Sequence, residues 1–428
     1  MEKAPRVEYP AEAPEETGVL VLVCRPGFES SLEDELARNG FDTPPGGSRP
    51  AGGAGWVARR MTGRMAGRAA ALPPVMIFER QRLVPATFLP LDPGAREFAA
   101  ALGPALASAL ASALERPLAG PGKVNAPILH AYTPDPSSGR LPLRLVSVLA
   151  RQAAEQLEKS GASGSGSGGA RNSGTDSGTG VVWQLCLVED GVWSAFMPVE
   201  RLSHPHPGGA SRLRKDDTAP SRSALKLEEA FELMGEAPLY RSKVVDLGAA
   251  PGGWSQACLK RGANVLAVDN GPLRTQGWDD LPGMLEHHRG DGLTYRPPRE
   301  RLPVDWLLSD MLVAPGVCLG LLRRWLGEGW CSRFVVNVKI PQKNPLAALD
   351  PLLEYLGTLK GWHWQARQLF HDRREVTLMG VSREPVRAGQ KPPASREKAR
   401  RGPDRKTAVK KPGGSAKRRG KQAGFRRK

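Results

Sequence analysis

Residues 244–256, Val-Val-Asp-Leu-Gly-Ala-Ala-Pro-Gly-Gly-Trp-Ser-Gln, constrain this chain more than any other segment. A β-branched apolar run carries an acid near its end, enters a glycine-rich turn and continues in a helical pattern, which predicts a strand, a tight loop and a helix. Glycines let a backbone approach a ligand closely, and a helix start presents unpaired N–H groups. Together they indicate a site for a nucleotide-like cofactor in a βα unit. The dinucleotide fingerprint G-x-G-x-x-G is not met, because Asp246 occupies the first glycine position and Pro251 precedes the Gly252-Gly253 pair. A cofactor without a pyrophosphate fits better.

The region around this motif repeats its rhythm. Short apolar strands are predicted at Val244–Leu247, Val265–Val268, Val304–Leu308 and Phe334–Val338, separated by helical stretches. Continuously apolar strands alternating with helices indicate a parallel sheet buried on both faces, with ligands outside the carboxyl ends of the strands. The residues closing these strands are Gly248, Asp269, Asp310 and Lys339, and three charges at strand tips point to a site. Asp269 follows Asp246 by 23 residues, a spacing at which an acid accepts hydrogen bonds from ribose hydroxyls. Before the first strand, 221–231 reads as a capped helix with Leu227, Ala230, Phe231 and Met234 as its apolar stripe and Lys226 at the margin. The seven histidines show no ligand spacing with carboxylates, so no metal site is expected. His204, His206, His287 and His288 read as polar loop residues.

Ahead of residue 206 the pattern is mixed. An apolar run at Val19–Val23, Arg25-Pro-Gly-Phe28 and a pattern with Leu32, Leu36 and Ala37 inward predict a strand, a turn and a helix. Further strands are expected at Val75–Phe78, Leu143–Leu149 and Val181–Val188, and a helix over Ala95–Leu114. The expected organisation is a disordered segment 1–18, an α+β region 19–205 with a Gly/Ser-rich loop at 160–180, an α/β domain 206–385, and a disordered basic tail 386–428. That tail holds 17 Lys/Arg against two acids, a net of +15 out of the chain's +17, so the remainder carries only +2. Such a tail grips phosphates without selecting a site. No membrane span or secretory signal is evident, and five scattered cysteines without a C-x-x-C pair read as buried apolar residues. A cytoplasmic protein, expected to be a monomer, follows.

D-x-G-x-x-P-G-G resembles the first motif of methyltransferases that use S-adenosylmethionine, and in this wording those that methylate the ribose 2′-oxygen of RNA. That reaction removes a proton of very high pKa as the oxygen attacks the methyl group, and a lysine among other charges can accept it. Lys226, Asp310, Lys339 and Glu375 stand in an order that resembles the Lys-Asp-Lys-Glu tetrad of these enzymes. The segments 219–231, Val268-Asp-Asn-Gly-Pro272, Gly329-Trp-Cys331, Lys339-Ile-Pro341 and 366–377 are similar to the bacterial large-subunit ribosomal RNA ribose 2′-O-methyltransferase M family, almost continuously over 219–383 and in patches before it.

The resemblance implies a Rossmann-like methyltransferase domain preceded by an α+β region with a THUMP-type RNA-binding module. It implies cofactor contacts from Ser223, Ala250, Pro251, Gly252, Gly253, Trp254, Asp269, Asp291 and Asp310, with Lys339 as the proton acceptor. The implied substrate is a cytidine of 23S rRNA in the large-subunit precursor. Position 250 is Ala where the family commonly has Cys. Two other readings stay open: the same chemistry on another RNA such as tRNA, and a noncatalytic assembly factor. The intact charge set counts against the second, because buried charges cost stability that a binding module need not forfeit.

Overall fold

The computed structural model describes residues 19–41, 52–61, 76–90, 127–135, 143–159, 180–189, 191–214 and 216–384. The expected helix over 95–114, the segment 1–18, nearly all of the Gly/Ser loop and the basic tail lie outside these residues. Two seven-stranded sheets organise the chain.

The first sheet uses β1 (Val19–Val23), β2 (Gly52–Gly53), β3 (Trp56–Arg60), β4 (Gln81–Pro90), β5 (Ile128–Tyr132), β6 (Val181–Val188) and β7 (Gly191–Pro198) in the order β2-β3-β1-β4-β7-β6-β5. Among the described residues, only β5 and β6 pair in parallel in this sheet. Helix α1 (Glu29–Arg38) follows β1 as expected, with Leu32 and Leu36 buried. Two expectations fail. Residues Leu143–Leu149 open a helix, α2 (Leu143–Lys159), rather than forming a strand. The run Leu-Arg-Leu-Val-Ser-Val-Leu is the start of a four-residue spacing, Leu145, Leu149, Ala153 and Leu157, which packs on Trp183, Leu185 and Leu187 of β6. Burial of each leucine contributes about 1.5–3 kcal/mol, and this stripe overrides the local strand pattern. The segment expected as a strand at Val75–Phe78 is irregular over the described 76–80, and the strand begins at Gln81 instead.

The second sheet carries the glycine motif. Its strands are β8 (Lys243–Leu247), β9 (Asn264–Val268), β10 (Met284–His288), β11 (Val304–Ser309), β12 (Cys331–Lys339), β13 (Trp362–Arg367) and β14 (Glu375–Ser382), ordered β10-β9-β8-β11-β12-β14-β13. The first five run parallel, and β14 is inserted antiparallel between β12 and β13. This is a Rossmann-like sheet, mixed rather than wholly parallel. Helices α3 (Ala224–Met234), α4 (Gly253–Leu259), α5 (Pro315–Gly327) and α6 (Pro345–Thr358) complete it. The expected stripe on α3 buries Leu227, Ala230 and Phe231, with Phe231 edge-on to Trp306. All five cysteines are buried and free.

The two sheets meet through the stretch that joins β13 to β14. Arg367, 3% exposed, donates from Nη1 to the Ser203 carbonyl at 2.6 Å, and the Gln368 N–H reaches the Ile77 carbonyl at 2.8 Å. Arg25 Nη1 donates to the Asp372 carbonyl at 2.6 Å, and the Arg80 guanidinium lies over the Phe370 ring at 5.0 Å. At the far side Arg38 forks onto Asp350 at 2.5 and 3.1 Å. Replacing Arg367 by Met is expected to leave the buried Ser203 carbonyl without this donor and lower unfolding stability by about 2–3 kcal/mol. Denaturant titration checks this; an unchanged midpoint would show that the contact contributes nothing.

Candidate functional site

The glycine loop leaves β8 with Gly248 at φ +73° and Gly252 at φ +112°, conformations that favour glycine. A Cβ on Gly252 would meet the Trp278 ring at 2.6 Å, and one on Gly253 would collide with Ser221. The loop therefore packs tightly on its inner side, as a backbone cradle for a ligand requires. Asp269, at the tip of β9, accepts the Ala250 N–H at 3.0 Å through Oδ2 and the Gly271 N–H at 2.6 Å through Oδ1. Each oxygen keeps a lone pair for a ribose hydroxyl. Asp291 is exposed, and a Cβ on the following Gly292 would come within 3.1 Å of the Gly248 nitrogen, so the Asp291 turn adjoins the loop. Ser223 is half-buried, its carbonyl accepts the Trp254 indole N–H at 2.9 Å, and its hydroxyl lies 2.7 Å from that of Ser221. Of the expected cofactor residues, Gly252, Gly253 and Trp254 are buried, whereas Ala250, Pro251, Asp269 and Asp310 are partly open. Loop, paired acids and open backbone fit a nucleoside-type cofactor.

Asp246 has a different place. It is 1% exposed and accepts the Ser255 hydroxyl at 2.7 Å. Burial pushes its carboxyl up to about 7; the Ser255 hydrogen bond opposes this, and the charges of Asp310 and Asp269 add to it.

Beside the loop, four elements place charged groups around one lysine. Lys226 Nζ lies 3.5 Å from Asp310 Oδ1, 3.7 Å from Glu375 Oε2 and 3.9 Å from Asp372 Oδ1. Lys226 comes from the margin of α3, Asp310 from the residue after β11, and Glu375 from the start of β14. Asp372 was not singled out in the sequence. It is fully buried in the turn before β14, where it accepts the Leu369 N–H at 3.0 Å. Burial pushes both Asp310 and Asp372 above the ordinary carboxylate range, with Lys226 opposing in each case.

A second unanticipated residue links these groups. Asn337 donates to Asp310 Oδ1 at 2.6 Å and accepts the Thr377 hydroxyl at 2.7 Å, which itself sits 3.0 Å from Asp372 Oδ2. The β12–β14 register pairs Asn337 with Thr377 and Lys339 with Glu375. Residues two apart share a face, so these four side chains line one face at the strand tips. The signal for Asn337 was present: a lone amide in Phe-Val-Val-Asn-Val-Lys, an otherwise apolar strand end. Lys339 is exposed, and among the described residues its side chain makes no ion pair or hydrogen bond. The loop before Glu375 is fixed by buried Glu229, which accepts the Phe370 N–H at 2.7 Å and the His371 N–H at 3.2 Å. His204, expected at the surface, is buried with Nε2 3.8 Å from Glu229, and burial lowers its pKa.

Residues 219–320 match the family model described as FtsJ-like methyltransferase. A protein of Alkalilimnicola ehrlichii named ribosomal RNA large subunit methyltransferase M is 33% identical over 376 residues, covering 84% of this chain and 93% of that relative. Proteins of the same name from Laribacter hongkongensis and Halorhodospira halophila are 44% and 43% identical over 185 and 175 residues. These matches cover 41% and 40% of this chain, which spans about half the length of those two relatives, 51% and 50%.

The raised pKa of Asp246 has a signed consequence. An acid titrating higher in the folded than in the unfolded chain favours folding at low pH, and that contribution is lost as pH rises from about 4 to about 7. Asp246→Asn is therefore expected to gain stability relative to the parent across this window, by up to ~1.4 kcal/mol per pH unit, and to gain no more above it. Denaturant titrations at several pH values measure the difference; a pH-independent difference would contradict the assignment.

Proposed function

The chain belongs to the ribosomal RNA large subunit methyltransferase M family, and from that premise we propose that it transfers the methyl group of S-adenosylmethionine to the ribose 2′-hydroxyl of a cytidine in 23S rRNA. The observation that carries this reading is the group of Asp310, Asp372 and Glu375 around Lys226, beside Lys339 and the glycine loop. A ribose hydroxyl is too weak an acid to attack unaided, so its proton must pass to a nearby base as the oxygen forms its new bond. Lys226 has three carboxylates for counterions and serves as the fixed cation of the set. Lys339 has none among the described residues and, in its uncharged form, accepts the proton at Nζ. Asp310 and Glu375 hold Lys226 in place, and Asn337 orients Asp310.

Ser223, residues 250–254, Asp269, Asp291 and Asp310 hold the cofactor, with Asp269 on the ribose hydroxyls. Bound there, S-adenosylmethionine would supply a methyl carbon made electrophilic by its sulfonium, with the sulfur as leaving group for the ribose oxygen. The region 19–205 carries a THUMP-type RNA-binding module and 206–385 the methyltransferase domain, acting as a monomer in the cytoplasm on 23S rRNA or the large-subunit precursor.

Two substitutions separate chemistry from binding. Lys339→Ala is expected to reduce transfer of labelled methyl to 23S rRNA by at least ~100-fold, the usual weight of a general base, while calorimetry shows S-adenosylmethionine bound nearly as before. Lost cofactor affinity would instead make Lys339 a binding residue. Asp269→Ala is expected to raise the cofactor dissociation constant by about tenfold or more through lost charged hydrogen bonds. Unchanged affinity would remove Asp269 from the site.

A further inference from the structure

From the end of β11 into α5 the chain reads Met-Leu-Val-Ala-Pro-Gly-Val-Cys-Leu-Gly-Leu-Leu, residues 311–322, with no charge, hydroxyl, amide or ring nitrogen in any side chain. Much of this stretch lies on the surface. Along 311–314 the side chains alternate: Met311 and Val313 pack against the core, whereas Leu312 and Ala314 are exposed. Leu312 keeps 54% of its surface open, and Val317, in the first turn of α5, keeps 46%. Gly316 and Gly320 are exposed as well, and a Cβ built on either would meet no atom within 4 Å. A lone exposed leucine is ordinary, but apolar surface that continues along the chain marks a contact.

The position of this patch narrows what can cover it. Asp310 immediately precedes it, and the Lys339 N–H donates to the Val313 carbonyl at 3.0 Å. The Met311 side chain reaches the glycine loop, where a Cβ on Gly248 would strike its Cγ at 2.2 Å and one on Gly292 would lie 3.2 Å from its Sδ. The patch is therefore the apolar rim of the site that holds Asp310 and Lys339. It carries no cation to grip phosphates and no side-chain donor or acceptor to read base edges. The part of a polynucleotide that suits such a surface is the flat face of a base, which is open only where the base has left its stack. A ribose brought between Lys339 and the methyl group of the cofactor turns its nucleotide out of regular stacking, and apolar side chains such as leucine cover base faces freed in this way.

We infer that Leu312, with Ala314 and Val317 beside it, packs against an unstacked base at or next to the target nucleotide and so presents the ribose to Lys339. The identity of the target rests on the function proposed above; the contact with a base rests on the patch. Because the contact is apolar, it adds affinity that salt does not screen, unlike a phosphate contact.

Two measurements test this. All five native cysteines are buried, so Leu312→Cys supplies an accessible thiol for a benzophenone maleimide label. Irradiated with a 23S rRNA transcript, this label is expected to crosslink at or beside the cytidine that the protein methylates, the position being read by reverse transcription. The same label on Leu239→Cys, at an exposed position before β8 and so at the opposite end of the parallel strands, is expected to give no such product. In steady-state methyl transfer, Leu312→Ser is expected to lower kcat/KM for the transcript by about fivefold or more, the lower end of what one stacked base contributes, with S-adenosylmethionine affinity and the thermal midpoint unchanged. That factor is expected to be the same at every salt concentration, because no phosphate contact is lost. Leu312→Phe, which keeps a large apolar face, is expected to match or exceed the parent. Absence of a crosslink from position 312, or a parent-like kcat/KM in Leu312→Ser, would overturn the inference. A sedimentation coefficient changed in Leu312→Asp with parent-like methylation kinetics would do so too, and would assign the patch to a protein partner. A crosslink confined to one RNA position in a protein that methylates no 23S rRNA would uphold the base contact and remove the proposed function instead.

Discussion

The ammonium of Lys226, within 4 Å of Asp310, Asp372 and Glu375, is the interaction on which the arrangement of the second sheet turns. Withdrawing these groups from water costs several kcal/mol for each that stays charged unless their geometry lets them compensate one another. The surrounding structure supplies that geometry. Helix α3 is held on the sheet by Leu227, Ala230 and Phe231, which fixes the height of Lys226. Asn337 and Thr377 link Asp310 to Asp372 through hydrogen bonds. Removing any one member would leave the others buried with the wrong charge balance.

The same constraint explains why the N-terminal sheet is packed where it is. Asp372 stands on, and Glu375 directly follows, a turn that has little regular structure of its own. Its main chain is held by Glu229 from below and by Arg25 and Arg80 from the turns around the first sheet. Arg367 and Gln368 tie the preceding residues to Ser203 and Ile77. A region expected from sequence to contribute only RNA recognition also fixes the backbone that carries two carboxylates of the site.

Much of this was legible before the structure. The strand at 244–247, the glycine turn, the acids at strand tips and the stripe on α3 rest on local patterns of burial and backbone freedom, and local patterns survive folding. Glu375, Lys226 and Asp310 were placed by order along the chain, and the structure brings them together. Asp372 and Glu229 were not legible, because the groups that give them their roles, the Lys226 ammonium for Asp372 and the Phe370 and His371 N–H groups for Glu229, lie far from them in sequence. The strand at Met284–His288 escaped notice because it is an edge strand with mostly exposed side chains, and an edge needs no apolar run. Leu143–Leu149 was misread because seven residues rich in leucine and valine suit a buried strand and a buried helix alike, and only the continuation to Leu157 distinguishes them.

The account stands or falls on ribose methylation of one RNA. Mass-spectrometric mapping of 2′-O-methylated nucleotides in 23S rRNA, from cells with and without this gene, tests it most directly. The loss of a single 2′-O-methylcytidine in the absence of the gene, and its return when the gene is restored, is the predicted result. An identical methylation map in the two strains would contradict the account.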